Sequence, residues 1–481
     1  MPGEKGHRME MIKGVMTILI ISAMQPLVNF LLLPVYTSFL DSSSYGYLSI
    51  LNNISLFFSI ISGLNIANAV AAYYKSYKTP DSLNLFIGNA ISFCLVFNTV
   101  LLLVLCLFGN VFAGILFKEQ VRFFPDIFLA IAIGLYSNLF ILYGYYLRYD
   151  KQISRFAIFS IIQLILLVGL QLFSLYFTRQ GVTGLLLMRM ISAGIMVMAI
   201  LIVHRKYCFR RILFKENLKK PLKYSLLTGP ALLVLWLTTY GDRFILEHLL
   251  DLKSVGKYSF LITICSVADL IVSTLNAAFQ PYIFDRFLSN KEHVKNFYTA
   301  FIVLCVAGFS ALIILCSNID LFVKNDEFLD TLPFTIPMVA SFVFNAVTNL
   351  YAMQITYAQK GRYYLLLSCF VLVANLSLNL LLIPGMGIKG AITANILTKL
   401  VMASLFLYLS QKAFFTNTIR QTGMVVLLFL LTSFASWSAA VSQVVSYKAA
   451  ALLQFFILII LIGAIYRKTI MSFLNAPKQI V

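Results

Sequence analysis

The chain has 481 residues, 60% of them hydrophobic and only 11% charged, with a formal net charge of +19. That balance excludes a soluble globular protein, which could not keep so much apolar surface dispersed. It points to an all-α polytopic membrane protein, built from apolar runs of about 20 residues that each cross roughly 30 Å of hydrocarbon as a helix.

The first residues, MPGEKGHRMEMIKG, have the basic start of a signal sequence. No small-residue cleavage site follows the long apolar run 15–39, so that run is expected to stay as the first membrane helix. Five more predicted spans follow in the first half, at 47–73, 85–107, 124–147, 156–177 and 182–203. The second half carries six, at 222–240, 255–283, 297–316, 332–358, 363–383 and 388–409. A final pair lies at 424–441 and 449–465, which makes about fourteen transmembrane helices. The expected domains are an N-terminal six-helix bundle (1–204), a basic cytoplasmic linker (205–221), a C-terminal six-helix bundle (222–412), and the additional helix pair with a cytoplasmic tail (413–481).

A repeat organises these spans. Residues 40–51 read LDSSSYGYLSIL and residues 250–261 read LDLKSVGKYSFL, with six identities in register at a spacing of 210. Each copy follows one apolar run and opens the next. A second correspondence closes each half: Gly181-Val182-Thr183-Gly184 opens span six and Gly387-Ile388-Lys389-Gly390 opens span twelve. An even number of spans separates the copies, so the halves are parallel repeats, an arrangement that encloses a path between them. Pro26 and Pro34 in the first lead helix, and Pro230 in the seventh, remove internal hydrogen bonds and are expected to bend both.

Charge sets the orientation. With the N-terminus cytoplasmic, inside segments hold 26 Lys and Arg against 7 Asp and Glu, whereas outside segments hold 9 against 10. The excess positive charge is therefore cytoplasmic, as the positive-inside rule expects, and is a topology signal rather than a nucleic-acid surface. Its largest cluster, residues 205–223, has eight basic residues and one acid, and reads as a topology anchor in contact with anionic lipid. Both termini are placed in the cytoplasm.

Chemistry is sparse inside the spans. Ser259, Thr263, Ser266, Asp269, Ser273, Asn276 and Gln280 recur at intervals of three or four in span eight, which predicts one polar stripe with a carboxylate at its middle. Hydrogen bonding between packed helices is the competing explanation. Span two carries a looser series, Ser49, Asn52, Ser55, Ser59, Ser62, Asn65 and Asn68, that drifts around the helix; Asn53 belongs to the same polar region. Two cations, Arg189 and Lys399, lie roughly 12 and 18 Å inside the closing helix of each half. Cations so deep need water, an acid such as Asp269, or an anionic ligand. Asp242 and Arg243, in TTYGDRFIL, could line the same cavity mouth or form a surface pair. Candidate substrate-binding residues are thus Arg189, Lys399, Arg243, Asn53 and Asn276; the candidate coupling or cavity acids are Asp269 and Asp242.

Enzyme readings are weak. His7, His204, His248 and His293 lie in loops or at helix ends, and the seven cysteines have no CxxC or metal-ligand spacing, so no catalytic base or metal set is expected. No GxxxxGK[ST] loop offers ATP-driven transport. Asp41 and Asp251 each follow a helix end, where turn formation accounts for them.

With the helices placed, three stretches resemble the polysaccharide flippases, the O-antigen and capsule repeat-unit translocases of the multidrug/oligosaccharidyl-lipid/polysaccharide exporter superfamily. They are LLLPVYTSFLDSSSYGYLSIL (31–51), TTYGDRFILEHLLDLKSVGKYSFL (238–261) and IPGMGIKGAITANILT (383–398). The resemblance covers nearly the whole chain in layout and implies two six-helix bundles forming a V around a central cavity, with alternating access by rocking. It also implies transport, without a cofactor, of undecaprenyl-pyrophosphate-linked oligosaccharide from the inner to the outer leaflet of a bacterial cytoplasmic membrane. The expected partners are that substrate, membrane lipids and polysaccharide-assembly proteins. Asp269 is the candidate H+ or Na+ site for an ion-coupled flux, which the sequence by itself does not establish. The family's cavity cations follow no strict motif, so the roles of Arg189 and Lys399 rest on their place in this chain. Fourteen spans rather than twelve also bring the lipid II flippases and sporulation-type exporters close. A cation-coupled multidrug exporter of the same superfamily is the first rival, and a membrane glycan-processing enzyme is the rival from another class. Two deep cations against one deep acid favour anionic cargo, and the outside loops, of about fifteen residues at most, leave no room for a glycan-processing site.

Overall fold

A computed structural model describes residues 17–475 except 19, 22, 25, 78, 119–121, 209–217, 287–290, 359–360 and 414–417. Among the described residues thirteen helices are long and apolar enough to cross a membrane, and a shorter apolar helix, Pro26–Phe39, stands where the first span was expected. Much of the basic linker predicted at 205–221 lies outside the described residues, as does the basic N-terminal start.

In chain order the α-helices are α1 (Leu33–Phe39), α2 (Ser42–Ile61), α3 (Ile66–Tyr73), α4 (Pro80–Leu116), α5 (Phe128–Tyr149), α6 (Ile153–Phe173), α7 (Gly181–His204) and α8 (Lys219–Leu249). They continue as α9 (Leu252–Cys265), α10 (Val267–Arg286), α11 (Lys291–Ser317), α12 (Asp326–Leu329), α13 (Thr335–Tyr357), α14 (Gly361–Met386), α15 (Ile388–Ala413), α16 (Ile419–Val441) and α17 (Tyr447–Asn475). They form two compact units. One comprises Met1–Gln25 and Phe39–Gly256; the other comprises Pro26–Ser38 and Lys257–Val481. The long lead helix α8 therefore packs in the first unit, and most of α1 packs in the second.

The duplicated turns work as the repeat predicts. Asp41 caps α2 by accepting from the Ser44 N–H at 3.1 Å, and Asp251 accepts from the Ser254 N–H at 2.6 Å ahead of α9. Each carboxylate satisfies one of the donors that a helix start leaves open. The two glycines at matching places in the repeat then cross. A Cβ on Gly46 would lie 2.0 Å from the Leu252 carbonyl oxygen, and one on Gly256 would lie 1.7 Å from that of Ser42. Leu252 and Ser42 are themselves equivalent positions, so the contact is reciprocal: backbone meets backbone about a local two-fold relation, and only glycine fits on either side. At the other end of each half, Gly181 and Gly387 share a left-handed φ of 58°, which starts α7 and α15 alike.

The second predicted span differs from expectation because its helix breaks. Gly63, Leu64 and Asn65 all have positive φ between α2 and α3. Left-handed backbone costs a non-glycine residue on the order of 1 kcal/mol or more, and a break inside hydrocarbon strands backbone groups. Asn98 of α4, fully buried, answers both problems. Its Oδ1 accepts from the Gly63 N–H (3.1 Å), and its Nδ2 donates to the Leu135 carbonyl (2.6 Å) and the Ser62 hydroxyl (2.9 Å). Ser62 in turn donates to the Leu135 carbonyl at 2.8 Å, and Asn138 Nδ2 donates to the Ser62 carbonyl at 3.3 Å. The break also explains why the polar series of span two drifts around a regular helix. Around it packs an apolar core that includes Phe86, Ile87, Ile91, Leu142 and Tyr143.

Span eight is interrupted as well, by a single turn at Ser266 between α9 and α10. In the second unit the core carries a buried polar belt. Gln354 Nε2 donates to the Tyr298 hydroxyl at 3.1 Å, and the Tyr351 hydroxyl lies 3.3 Å from those of both Thr418 and Thr422.

Candidate functional site

In the first unit the site is built around Arg189. It lies eight residues into α7, roughly 12 Å from the Gly181 end. One terminal nitrogen, Nη1, donates to Asn52 Oδ1 of α2, and Nη2 donates to Gln171 Oε1 of α6 at 3.2 Å. Both acceptors are neutral amides. Among the described residues no carboxylate pairs with this guanidinium, and its Nε is buried without a hydrogen-bond partner. Neutral amides orient a cation without cancelling its charge, so Arg189 keeps a positive potential directed at whatever enters beside it.

Asn53 is buried one residue along from Asn52. Its carbonyl accepts from Trp236 Nε1 at 3.1 Å, while its Nδ2 is buried without a partner. Asp242 and Arg243 lie within α8 and form an ion pair at 3.1 Å, with side chains only 3% and 7% exposed. Arg243 also donates to the Thr239 carbonyl at 3.3 Å and stacks over the Tyr240 ring. This is a buried pair whose charges offset one another, not a surface pair. Next to it, Glu247 accepts twice from the Lys118 N–H, at 2.9 and 3.2 Å, and so ties α8 to the end of α4.

The second unit holds the other charges. Lys399 lies eleven residues into α15; its Nζ donates to Ser341 Oγ at 3.1 Å and sits 3.4 Å from the centroid of the Phe342 ring, both on α13. Asp269 is in the first turn of α10, where the helix dipole favours an acid. Asn345 Nδ2, from α13, donates to its Oδ1 at 2.9 Å, and Lys399 is close enough to act on it electrostatically. Asp269 remains exposed. Asn276, further along α10, has a buried Oδ1 without a partner. The hydroxyls of the predicted stripe bond to their own helix: Thr263 to the Ser259 carbonyl (2.7 Å), Ser266 to that of Thr263 (2.8 Å) and Ser273 to that of Leu270 (3.1 Å). These bonds turn each hydroxyl back onto its own backbone, while Asp269 of the same stripe is met by Asn345 of α13.

Arg189, Asn53, Asp242 and Arg243 thus belong to one unit, and Lys399, Asp269 and Asn276 to the other. Sequence reasoning missed their immediate partners, Gln171, Ser341, Phe342 and Asn345. Gln171 had a signal in being one of two amides, with Gln163, in a largely apolar span, and Asn345 in its spacing of four from Asn349. Ser341 and Phe342 had none. Among the described residues no three His, Cys, Asp or Glu side chains group as metal ligands.

Comparison with solved structures places the fold. The chain is similar to the lipid II flippase MurJ in its inward closed conformation, with a TM-score of 0.66 and 14% identity over 92% of this chain and all of that one. It is also similar to an inward-facing multidrug resistance MATE family transporter of the MOP superfamily, with a TM-score of 0.62 and 14% identity over 82% of this chain and 97% of that one. A Vibrio cholerae MATE transporter, VcmN, matches at a TM-score of 0.51 and 15% identity over 84% and 94% of the two chains. These are multi-span folds of transporters and flippases. No curated protein sequence matches significantly. The model of one family, described as polysaccharide biosynthesis protein, matches residues 11–287. More than half of the sequence follows that family's pattern, and the chain belongs to the polysaccharide biosynthesis protein family.

Proposed function

We propose that this protein is a flippase that moves undecaprenyl-pyrophosphate-linked oligosaccharide from the inner to the outer leaflet of a bacterial cytoplasmic membrane by alternating access, with both termini in the cytoplasm. The observation that carries the reading is Arg189, a guanidinium deep in a membrane helix whose hydrogen-bond partners among the described residues are neutral amides. A cation in that state is costly in hydrocarbon and useful opposite an anion. A pyrophosphate supplies the charge opposite Arg189, the Asn53 amide of the same unit supplies hydrogen bonds suited to sugars, and the polyprenyl tail stays in lipid; Asn276 is the candidate sugar-binding amide of the second unit. Lys399 is the corresponding cation of the second half. Family membership and the flippase-type fold support the class.

Asp269 supports coupling to H+ or Na+. An exposed carboxylate near the middle of a span needs water or a cation rather than lipid, and its Asn345 and Lys399 neighbours would respond to its change of charge. The same acid favours a second reading, a cation-coupled multidrug exporter; a lipid II flippase shares the anionic-cargo argument.

The test is genetic and chemical together. In cells lacking the chain, lipid-linked oligosaccharide should accumulate on the cytoplasmic side and surface glycan should fall, with wild type restoring both and Arg189→Ala restoring neither despite normal membrane levels. Intact surface glycan and no inner-leaflet accumulation in the deletion strain would remove the proposal. Accumulation of lipid II alone would transfer it to the peptidoglycan precursor.

A further inference from the structure

A groove of about 170 Å³ on the first unit is lined by none of the candidate site residues assigned above. Its walls come from α5, α6 and the first apolar segment, including Ile21 and Met24. Polarity changes along it in order. Arg148 stands at one end, at the last turn of α5; Ser160 and Gln163 follow on α6, and Leu164 and Leu167 close the far end. Counted from the start of α6 at Ile153, these α6 positions lie roughly 10, 15, 17 and 21 Å along the helix axis. A phospholipid entering tail-first presents the same sequence: a phosphate at the interface, ester carbonyls next, then acyl chains.

Arg148 is prepared for the phosphate. Its Nε donates to the Gly144 carbonyl at 3.1 Å, and the guanidinium lies 4.7 and 5.0 Å from the Tyr145 and Phe156 ring centroids. Among the described residues no carboxylate pairs with it; Asp150, two residues on, accepts from Gln152 instead. Among the described residues the terminal nitrogens have no hydrogen-bond partner while the Nε bond and the two rings fix the plane of the group, a good arrangement for a phosphate fork. Lys151 and Arg155 add charge at the same end. The second observation is Ser160. Most membrane-helix hydroxyls in this chain bond back to a carbonyl one turn earlier, as Ser92, Thr263 and Thr398 do. The Ser160 hydroxyl is buried with no partner at all, and it lines the groove at the depth of an ester carbonyl.

We propose that this groove is a binding site for one anionic phospholipid, with its phosphate on Arg148, an ester carbonyl on Ser160 and an acyl chain against Leu164 and Leu167. The inference depends on the membrane placement of α5 and α6 and not on the cargo, so it and the transport reading fail separately.

The test uses the purified full-length chain, native mass spectrometry, and titration with phosphatidylglycerol or phosphatidylcholine of matched acyl chains. Wild type should retain one phosphatidylglycerol at about tenfold higher affinity than phosphatidylcholine. Arg148→Gln should lose that preference, Arg148→Lys should keep part of it, and Ser160→Leu, which fills the groove, should weaken both lipids. A photoactivatable phosphatidylglycerol should label peptides within 140–167 in wild type and not in Ser160→Leu. Circular dichroism and monodispersity verify that each variant is folded. Equal retention of the two lipids by wild type, or undiminished phosphatidylglycerol binding by folded Arg148→Gln and Ser160→Leu, would overturn the site. Displacement of phosphatidylglycerol by equimolar undecaprenyl phosphate would overturn the occupant, making the groove an entry point for the carrier lipid.

Discussion

Arg189 and Lys399 occupy comparable places on the closing helices of the two halves, yet their surroundings differ. Arg189 is oriented by two neutral amides and meets no acid among the described residues. Lys399 rests on a hydroxyl and an aromatic ring, with the Asp269 carboxylate as an electrostatic neighbour. The repeat motif recurs in both halves, yet among the described residues the first cation has no carboxylate partner and the second has Asp269 as a neighbour. A fixed cation suits holding an anion throughout a cycle. A compensated one suits a step that must reset.

Where the copies remain alike, disruption should be greatest and equal. Gly46→Val and Gly256→Val each force a side chain into backbone at or below 2.0 Å, and should cost about 3 kcal/mol or more of stability. Thermal unfolding in detergent should show similar losses; a large loss from one and none from the other breaks the reciprocal contact. Arg189→Ala should come next, reducing transport about thirtyfold, equivalent to about 2 kcal/mol for a charge-assisted contact, while leaving folding intact. Reconstituted flipping assays measure it, and Arg189→Lys should recover only part because one ammonium cannot bridge Asn52 and Gln171 as a fork does.

Lys399→Met should lower transport about tenfold and Asp269→Asn by a similar factor, but the double variant should be much less than multiplicatively impaired, since neighbouring charges couple by roughly 0.5–3 kcal/mol. Asp269→Asn should also abolish any dependence of rate on a proton or sodium gradient; a gradient response that survives it removes this residue from coupling. The smallest effect is expected from Asn345→Ala, about fivefold for one neutral hydrogen bond worth roughly 1 kcal/mol, and only while Asp269 is present.

Much of the helical architecture is legible along the chain because apolar length is a local property. The turn acids Asp41 and Asp251 declare themselves by position, and the matched glycines reveal the duplication. Less of the site is legible. Gln171 and Asn52 are far apart in sequence and become a pair of acceptors only where α2, α6 and α7 converge. Asp242 and Arg243 read equally well as a cavity mouth or a surface pair; burial is what makes them an interior ion pair. A regular helical projection of span two misplaces Asn65 and Asn68 relative to the α2 series, because three left-handed residues interrupt the 100° periodicity on which the projection depends.

From its sequence alone this protein reads as a many-span helical membrane protein with an internal repeat and a cation deep along one span of each half, since hydrophobicity, spacing and charge act residue by residue. Only the tertiary structure decided that Arg189 is held by amides while Lys399 has an acid nearby, that Asn98 sustains the break in span two, and that Gly46 and Gly256 answer each other. Those facts depend on which helix faces touch, and the free energy of a polar group in a membrane is set by the partner it finds there.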